Sequence, residues 1–501
     1  MTKELSITEL HQQLAALQAQ VDSLKNDKVD MQRQIDLLIS KLNLSNSKRF
    51  GKQSEKAPRG TFNEAEHIKS ETEPKHHKKG KQSLPSHLER EEVEHKLEDT
   101  SCACCGHQMH ICGSETSEQI KIIPAKISVI KHQQLKYVCR ECEHTQVTNK
   151  VVTASKPKQP IPRSIASAET LAAVVTAKYC DALPLYRQVE IFKRGGLDIS
   201  RATLANWCIK SGAILKPLVE AMQQILVEQH SLCADETRVQ VLDEPDKLAT
   251  SQSYMWVYRS NEVSEQPVVI YDYQPGRSRQ NLKNFLQGFE GYLQCDGYSV
   301  YDNVDGILAV GCWAHTRRKY DEALRAEKKS KGRAHKAISF ISKLYQIENK
   351  IKSKKLSVAE RYQLRQEKSK PILDVFKQWL DETKEKLTAK SYIATAINYT
   401  LNQWEKLIRY IDDGELGIDN NITERDIRPF TTGRKNWMFS QSVKGAEASA
   451  TLYSIVMTCR ANDINPYFYF QHLFKTLPNM DEQSDLTALM PWNVQLDYTS
   501  G

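Results

Sequence analysis

The sequence predicts a multidomain α+β protein in which an α/β catalytic core follows several smaller N-terminal modules. Three observations lead to this prediction. They are a leucine-rich heptad pattern near the N-terminus, two paired cysteine hooks between Cys102 and Cys142, and a series of β-branched and aromatic runs that begins near Ser231. At 501 residues with 40% hydrophobic content, the chain is long enough to bury several cores.

The overall composition limits the class of protein. The chain has 70 basic and 62 acidic residues, and the resulting net charge of +8 suits a polyanionic partner without requiring one. No run of 18 apolar residues occurs, and the first residues, MTKELSITELHQQL, lack the apolar segment of a signal peptide. We therefore expect a cytoplasmic protein that does not span a membrane.

Residues 1–45 are predicted to form a coiled coil. Apolar residues follow one another at alternating spacings of four and three, which is typical of a heptad seam. Lys28 is the polar break in the seam, and polar residues at such positions commonly fix register and partner number. The alternative is an amphipathic helix that packs on its own domain. The seam consists of Leu10, Leu14, Leu17, Val21, Leu24, Lys28, Met31, Ile35, Leu38 and Leu42.

Residues 46–99 are predicted to be a flexible basic linker. The segment from Asn43 to about Lys81 is poor in apolar residues and rich in Lys, His, Ser and Gly, so it cannot bury a core. Its charges either contact DNA phosphates or are simply solvated, and the sequence leaves both alternatives open.

Residues 100–150 are predicted to form a zinc knuckle. Two C-x2-C hooks, separated by 33 residues, can each supply two thiolates to one tetrahedral ion. A closed site of this kind has no open coordination position, so the predicted Zn²⁺ is structural. The predicted ligands are Cys102, Cys105, Cys139 and Cys142, and the substitutes that the sequence offers are Cys104, His107 and Cys112.

Residues 160–228 are predicted to contain a helix-turn-helix. A helix from about Leu183 to Lys193 precedes the pair Gly195 and Gly196, and Ser200 can cap a second helix. An ordinary helical hairpin is the alternative reading of the same pattern. In a DNA complex the second helix would lie in the major groove. The base-edge candidates are Arg201 and Asn206, and the phosphate candidates are Lys193 and Arg194.

A ribonuclease H-like core is predicted over residues 229–470. Three strand-like runs, SLCADETRVQVL, SYMWVYRS and PVVIYDYQP, precede the helical GRSRQNLKNFLQGF and two more strands, GYLQCDGYSVYD and ILAVGCWAH. In this topology a meander of three strands is followed by parallel strands on the far side of the first. The first and fourth strands are therefore neighbours, and Asp235 and Asp296 can face each other.

These carboxylates suggest a site for two divalent cations. Acids on adjacent strands, together with a third from a later helix, suit two ions about 3.5 to 4 Å apart, and oxygen ligands favour Mg²⁺ or Mn²⁺. Three other acids compete for the role. Glu236 is turned by strand alternation to the opposite face, while Asp272 and Asp302 have the positions of edge or turn acids.

The third acid follows a long helical insertion. Residues of about 320–412 are charged and helix-periodic, and they are too many for a loop. The chain then reaches GIDNNITERDIRP, in which Asn420 or Asn421 begins a helix and Glu424 points at the metal pair. A surface ion-pair helix is the alternative, but the Asn-Asn opening and a helix stop at Pro429 argue against it.

The same helix carries several candidates for DNA contacts. Arg428 lies one turn beyond Glu424 and either hydrogen-bonds it or holds a DNA phosphate, while Arg425 flanks the pair. The basic run TTGRKNW follows, and it supplies Arg434 and Lys435.

Taken together, these motifs resemble the insertion-sequence-66 family of bacterial DDE transposases. The resemblance is carried by ADETRVQV, QCDGYSVYDNV, CWAHTRRKYDEA and DNNITERDIRPFTTGRKNWMF, together with the cysteine hooks and the heptad seam, and it extends over nearly the whole chain. It implies a ribonuclease H-like catalytic domain with a helical insertion between the second and third acids.

The resemblance also implies roles for particular residues. Asp235, Asp296 and Glu424 match the catalytic acids, which would hold two Mg²⁺ ions, and the four hook cysteines match the zinc segment. The chemistry implied is cleavage of element-end DNA followed by attack of the 3′ hydroxyls on target DNA. The basic segment after the fifth strand, matched by His315, Arg317 and Arg318, is expected to meet the DNA backbone.

The partners implied are double-stranded DNA at the element's terminal repeats and at the target, accessory proteins of the same element, and a second copy of the chain. A homodimer or larger assembly is expected in the DNA complex, with the protein at the nucleoid. Residues 471–501 are expected to be a tail. Two other functions remain open, namely a DNA-binding protein that has lost catalysis and a ribonuclease H-like nuclease.

Overall fold

The computed structural model describes residues 7–50, 127–137, 152–327, 332–387, 391–481 and 484–496. All candidate ligands of the predicted zinc knuckle lie outside these residues. Most of the predicted linker lies outside them as well. The ligands concerned are Cys102, Cys105, Cys139 and Cys142, with the substitutes Cys104, His107 and Cys112.

The N-terminal heptad pattern forms one helix, α1 (Ile7–Phe50). Its seam side chains from Leu14 to Leu42 lie at the surface, and Leu24 is 67% exposed. Two short strands, β1 (Lys136–Tyr137) and β2 (Val152–Thr153), form an antiparallel pair further along the chain. None of the described helices is both long and apolar enough to cross a membrane.

Three helices precede the main sheet: α2 (Ala168–Tyr179), α3 (Leu185–Arg194) and α4 (Arg201–Val227). The two-helix pattern predicted here is confirmed, because Gly196 has a φ of +87° in the turn and Ser200 Oγ accepts the Thr203 N–H at 3.1 Å. However, α4 has 27 residues, and its buried side is part of the main core.

The central sheet contains β3 (Ser231–Asp243), β4 (Gln252–Ser260), β5 (Val269–Gln274), β6 (Gly291–Gln294) and β7 (Ile307–Val310), with α5 (Arg279–Phe285) between β5 and β6. The strand order is β5-β4-β3-β6-β7. The first three strands are antiparallel, and β6 and β7 run parallel to β3. This is the order and direction predicted from the sequence. A short strand, β8 (Ser440–Ser442), pairs with the far end of β3.

The predicted helical insertion is also present. It contains α6 (Trp313–Glu327), α7 (Arg333–Lys354), α8 (Val358–Leu364), α9 (Lys370–Lys384), α10 (Tyr392–Asn402) and α11 (Trp404–Ile408). These helices bury their apolar faces in a core of their own, where the indole of Trp313 packs edge-on against Trp404 and the ring of Phe376 contacts both.

The chain returns to the sheet through α12 (Asn421–Trp437), α13 (Val443–Ala461) and α14 (Pro466–Thr476). The expected helix stop at Pro429 is wrong, because α12 continues for eight residues beyond it. Proline removes one backbone hydrogen bond, but burial of Ile427 and Phe430 on either side keeps the helix against the core.

Helix α13 covers the edge strand β5. The hydroxyls of Ser454 and Thr458 accept the N–H groups of Tyr271 and Val269 at 2.8 and 3.0 Å, so the free edge of the sheet is satisfied by helix side chains. The hydrophobic core under the sheet includes residues of α2, α4, α13 and α14. The predicted regions 160–228 and 229–470 thus share one core.

Part of the predicted C-terminal tail is also packed. The hydroxyl of Tyr469, on α14, donates to the carbonyl of Leu489 at 2.6 Å. Leu489 and Met490 are both buried. The segment up to Met490 is therefore held against the core by apolar burial.

Candidate active site

Two of the predicted acids are placed by adjacent strands. The parallel register between β3 and β6 pairs Cys233 with Gln294, the last residue of β6, and Asp235 and Asp296 each follow that pair by two residues. Both carboxylates accept a nearby backbone N–H: that of Glu236 reaches Asp235 Oδ1 at 2.8 Å, and that of Tyr298 reaches Asp296 Oδ1 at 2.9 Å. The two aspartates therefore have corresponding positions, one within β3 and one just past the end of the neighbouring strand β6.

The third acid is positioned by the start of α12. Asn420 is buried at the N-terminus of the helix, and its side-chain amide donates to the carbonyl of Ala234 at 2.9 Å. Its backbone N–H donates to Cys312 Sγ at 3.2 Å, and its Oδ1 accepts the Thr423 hydroxyl at 2.6 Å. Because Ala234 directly precedes Asp235, Asn420 ties the turn of helix that carries Glu424 to the strand that carries Asp235.

The charges of the other acids act on Asp235. Its pKa is raised to about 7, first by burial and then by the negative charges of Glu236, Asp296 and Glu424, against the opposing effect of the Glu236 N–H. Two divalent cations would relieve this repulsion, and carboxylate oxygens are suitable donors for Mg²⁺ or Mn²⁺. Among the described residues, no three His, Cys, Asp or Glu side chains are arranged, as they stand, to hold a metal ion. The carboxylate oxygens of Asp235, Asp296 and Glu424 are nevertheless of the chemical type that Mg²⁺ or Mn²⁺ prefers.

The basic segment after β7 contributes to this site. His315 Nε2 lies 3.7 Å from Glu424 Oε1, and Arg318 Nη2 lies 3.3 Å from the same oxygen. Arg317 faces away, because its Nε is 3.9 Å from Asp321 on the same helix. Burial, followed by the charge of Arg318, lowers the pKa of His315. Two of the three residues predicted to meet the DNA backbone, His315 and Arg318, thus lie beside the third acid.

The competing acids have other partners. The Glu236 side chain, only 1% exposed, forms an ion pair with Arg277 and accepts the Tyr301 hydroxyl. Asp272 accepts the Gln274 amide at 2.8 Å, and Asp302 pairs with Lys406.

The remaining predicted DNA-binding side chains divide into exposed and tethered groups. The guanidinium of Arg434 donates to the carbonyl of Arg238 on β3, so this residue has a structural partner. The others are exposed: Lys193, Arg194, Arg201, Asn206, Arg425, Arg428 and Lys435. The Glu424 carboxylate takes its arginine partner from α6 (Arg318) and not from its own helix. Trp207, on the same helix as Asn206, is buried.

Sequence analysis missed several residues that shape the site. Arg277 and Tyr301 hold Glu236, and Tyr399 reaches the turn after β6 from the helical insertion. The doublet Asn420-Asn421 signalled a helix start, but nothing in it indicated the long-range bond to Ala234.

Comparisons with known proteins place the chain among transposases. The sequence profile described as Transposase IS66 family matches residues 163–448. A profile for the zinc-finger binding domain of transposase IS66 matches residues 99–143, and one for the IS66 C-terminal element matches residues 454–492. The second match contains all four predicted zinc ligands.

Three curated relatives are similar over most of their length. The uncharacterized protein y4qI of Sinorhizobium fredii (strain NBRC 101917 / NGR234) is 33% identical over 441 residues, which cover 85% of this chain and 79% of that protein. From the same organism, the uncharacterized protein y4jD is 31% identical over 428 residues, which cover 83% and 82%. The uncharacterized protein y4hP is 30% identical over 431 residues, which cover 81% and 76%. Because the transposase profile matches more than half of the chain, the chain belongs to the IS66 family of transposases.

Proposed function

We propose that this transposase cleaves DNA at the ends of its element and joins them to target DNA through a ribonuclease H-like, two-metal site. The observation that carries the proposal is the meeting of Asp235, Asp296 and Glu424, which come from three separate elements. The strand order with β3 and β6 adjacent supports the ribonuclease H-like assignment.

The three carboxylates would hold two Mg²⁺ or Mn²⁺ ions. When bound, these ions activate the attacking oxygen and stabilise the leaving oxygen of an in-line phosphoryl displacement. Asn420 keeps Glu424 in place, and the Glu236 and Tyr298 N–H groups orient the two aspartates. Arg318, which is exposed beside Glu424, is available to a DNA phosphate next to the scissile bond. No serine or tyrosine nucleophile is needed, because water and then a 3′ hydroxyl are the attacking groups.

DNA outside the active site would contact exposed polar and basic side chains. Arg201 and Asn206 at the start of α4 are the proposed base contacts, and Lys193 and Arg194 are the proposed phosphate contacts. On α12, Arg425, Arg428 and Lys435 are also exposed and add cations along the helix that carries Glu424. The match to the family's zinc-finger domain supports a structural Zn²⁺ held by the four hook cysteines.

The proposal also includes assembly. The exposed seam of α1 suits a parallel pairing with a second copy, and the family relationship suggests accessory proteins from the same element. A DNA-binding protein without catalysis is the second candidate, and the convergence of three acids argues against it. A plain ribonuclease H-like nuclease would cleave DNA but would not join strands.

The proposal is tested by incubating the purified full-length protein with Mg²⁺ and labelled DNA that carries its own element end. Asp296→Asn is compared with Asp272→Asn, a matched change at a sheet acid that lies outside the proposed site. We expect nicking by the wild type and by Asp272→Asn, and loss of nicking by at least a hundredfold, to about background, in Asp296→Asn. Joined products with a target plasmid distinguish a transposase from a nuclease.

Binding without nicking, in the presence of the element's accessory proteins, would contradict the catalytic proposal and favour the DNA-binding alternative. Equal loss of nicking in both variants would show that the acids of this sheet act through stability and not through chemistry.

A further inference from the structure

The last helix of the insertion, α11, is bonded to the segment that follows strand β7 of the central sheet. The indole N–H of Trp313 donates to the carbonyl of Leu407 at 2.8 Å, and the Gly311 N–H donates to the carbonyl of Lys406 at 2.9 Å. The Lys406 ammonium also pairs with Asp302, which lies in the segment after β6. These bonds fix α11 at the end of the sheet, and α10 directly precedes it in the chain.

Helix α10 uses this position to place Tyr399 against Gly297. A Cβ atom at Gly297 would lie 2.6 Å from Tyr399 Oη, 3.0 Å from Cε2 and 3.1 Å from Cζ. A Cβ does not fit at such distances, so the close approach of the phenol ring explains the glycine directly after Asp296.

The same ring lies close to the second acid. Burial raises the pKa of Tyr399 to about 12, and the charge of Asp296 is the next cause of that shift. The Lys319 ammonium of α6 is 5.9 Å from the centroid of the ring. Tyr399 is thus enclosed between the turn that follows β6 and the basic helix α6.

The turn behind Asp296 has little freedom of its own once the ring is in place. The Tyr298 N–H donates to Asp296 Oδ1, and the Tyr298 ring stacks at 3.5 Å under the Arg277 guanidinium. Gly297 links these two residues, and its one open side is occupied by Tyr399. A displacement of Gly297 would therefore move the N–H group that orients the Asp296 carboxylate.

We propose that Tyr399 is a positioning residue of the active site, contributed by the helical insertion, and that its ring forms the wall that fixes the Asp296-Gly297-Tyr298 turn. This inference rests on the proposed function, because it assumes that Asp296 binds a catalytic metal ion. It gives the insertion a role in metal binding beyond that of a spacer between the second and third acids.

The test uses two readouts on the full chain: the affinity for Mn²⁺, measured by the electron paramagnetic resonance signal of the free ion, and the rate of nicking of element-end DNA. The variants are Tyr399→Ala, Tyr399→Phe, Gly297→Ala and the double change Gly297→Ala/Tyr399→Phe. The control is Asn398→Ala, an exposed neighbour on the same helix.

We expect Tyr399→Ala to weaken Mn²⁺ binding and slow nicking by about tenfold or more, while Asn398→Ala leaves both unchanged. Gly297→Ala should be worse than Tyr399→Phe, because the new Cβ would overlap the hydroxyl. The double variant removes that hydroxyl and should recover at least part of the Mn²⁺ affinity lost in Gly297→Ala.

Unchanged Mn²⁺ affinity in a folded Tyr399→Ala protein would overturn the inference. It would also be overturned if the losses of Mn²⁺ affinity in Gly297→Ala and Tyr399→Phe simply added in the double variant. Thermal unfolding of each variant identifies those that have lost their fold. Wild-type protein that binds Mn²⁺ but does not nick would contradict the proposed function, while the effect of Tyr399 on Mn²⁺ affinity would still be measured independently.

Discussion

At the scale of single residues, the acids of the central sheet differ in what neutralises them. Asp235 and Asp296 each accept a backbone N–H, and the charge of Asp296 acts on Asp235. Because neither carboxylate forms an ion pair with a cationic side chain of the described residues, their negative charges remain close to each other. Glu236 and Asp302 instead pair with Arg277 and Lys406. Unbalanced charge at a partly open position is typical of a functional site, whereas a paired charge is typical of structure.

This distinction can be tested at Asp272 by measuring stability at two pH values. Burial raises its pKa to about 6, above the ordinary value of 3.8. The folded state therefore binds more protons than the unfolded state between these values, and stability falls as the pH rises through that window. We expect Asp272→Asn to raise the free energy of unfolding by about 1 to 3 kcal/mol at pH 7.5, with no gain near pH 3.5.

The measurement is urea denaturation at both pH values, with nicking assayed in parallel. Nicking should persist in this variant. A gain of equal size at both pH values would mean that the charge of Asp272 is not the cause.

A second prediction at this scale concerns the ion pair between Glu236 and Arg277. The glutamate side chain is almost fully buried, and Arg277 is 33% exposed. Arg277→Met would leave the buried carboxylate with only the Tyr301 hydroxyl, and we expect a loss of about 2 to 3 kcal/mol in unfolding free energy. Glu236→Gln/Arg277→Met should recover part of that loss, and a double-mutant cycle by urea denaturation measures the coupling. Additive losses would exclude a coupled pair.

At the scale of elements, the connection from α12 to β8 is a strained turn. Met438 has φ 67° and ψ −47°, and the Phe439 N–H donates to the carbonyl of Trp437 at 2.9 Å across it. These are features of a γ-turn of the rare, unfavourable hand. Helix α12 on one side and the pairing of β8 with β3 on the other hold the turn in this conformation.

Met438 is 70% exposed, so its side chain contributes little packing. We expect Met438→Gly to raise the unfolding free energy by about 1 kcal/mol, because glycine adopts this backbone conformation at lower cost. Met438→Ala is the matched control, since it shortens the side chain but keeps the Cβ, and it should give no comparable gain. Equal thermal shifts in the two variants would locate the effect in the side chain and not in the backbone.

At the scale of the whole molecule, α1 presents an apolar seam to solvent from Leu14 to Leu42, over about eight helical turns. Leu17 and Leu24 are 61% and 67% exposed, an arrangement that is stable in water only when a partner helix covers it. We expect the full chain to be a dimer by light scattering and Leu17→Lys/Leu24→Lys to be a monomer of half that mass.

The control for this prediction is Ala16→Lys/Ser23→Lys, which adds the same charge to α1 at positions outside the seam. The control should remain dimeric. A dimer that persists in the seam variant would assign self-association to another surface of the protein.

The order of the secondary structure could be predicted because it follows from local patterns. Alternation in β3, the cap at Ser200 and the heptad spacing of α1 each depend on residues a few positions apart, and the structure has the corresponding elements. The expected helix stop at Pro429 was wrong because packing on both sides outweighed the local preference of proline.

By itself, the sequence determined which acids are candidates, the strand order that brings Asp235 and Asp296 together, and the family to which the chain belongs. Only the tertiary structure decided that Asn420 bonds to Ala234, that Arg277 neutralises Glu236 and that Tyr399 reaches Gly297. In each of these three contacts, the two residues are between 41 and 186 positions apart in the sequence. The local periodicity of a sequence does not predict such contacts, because they depend on how whole elements pack and not on the preferences of neighbouring residues.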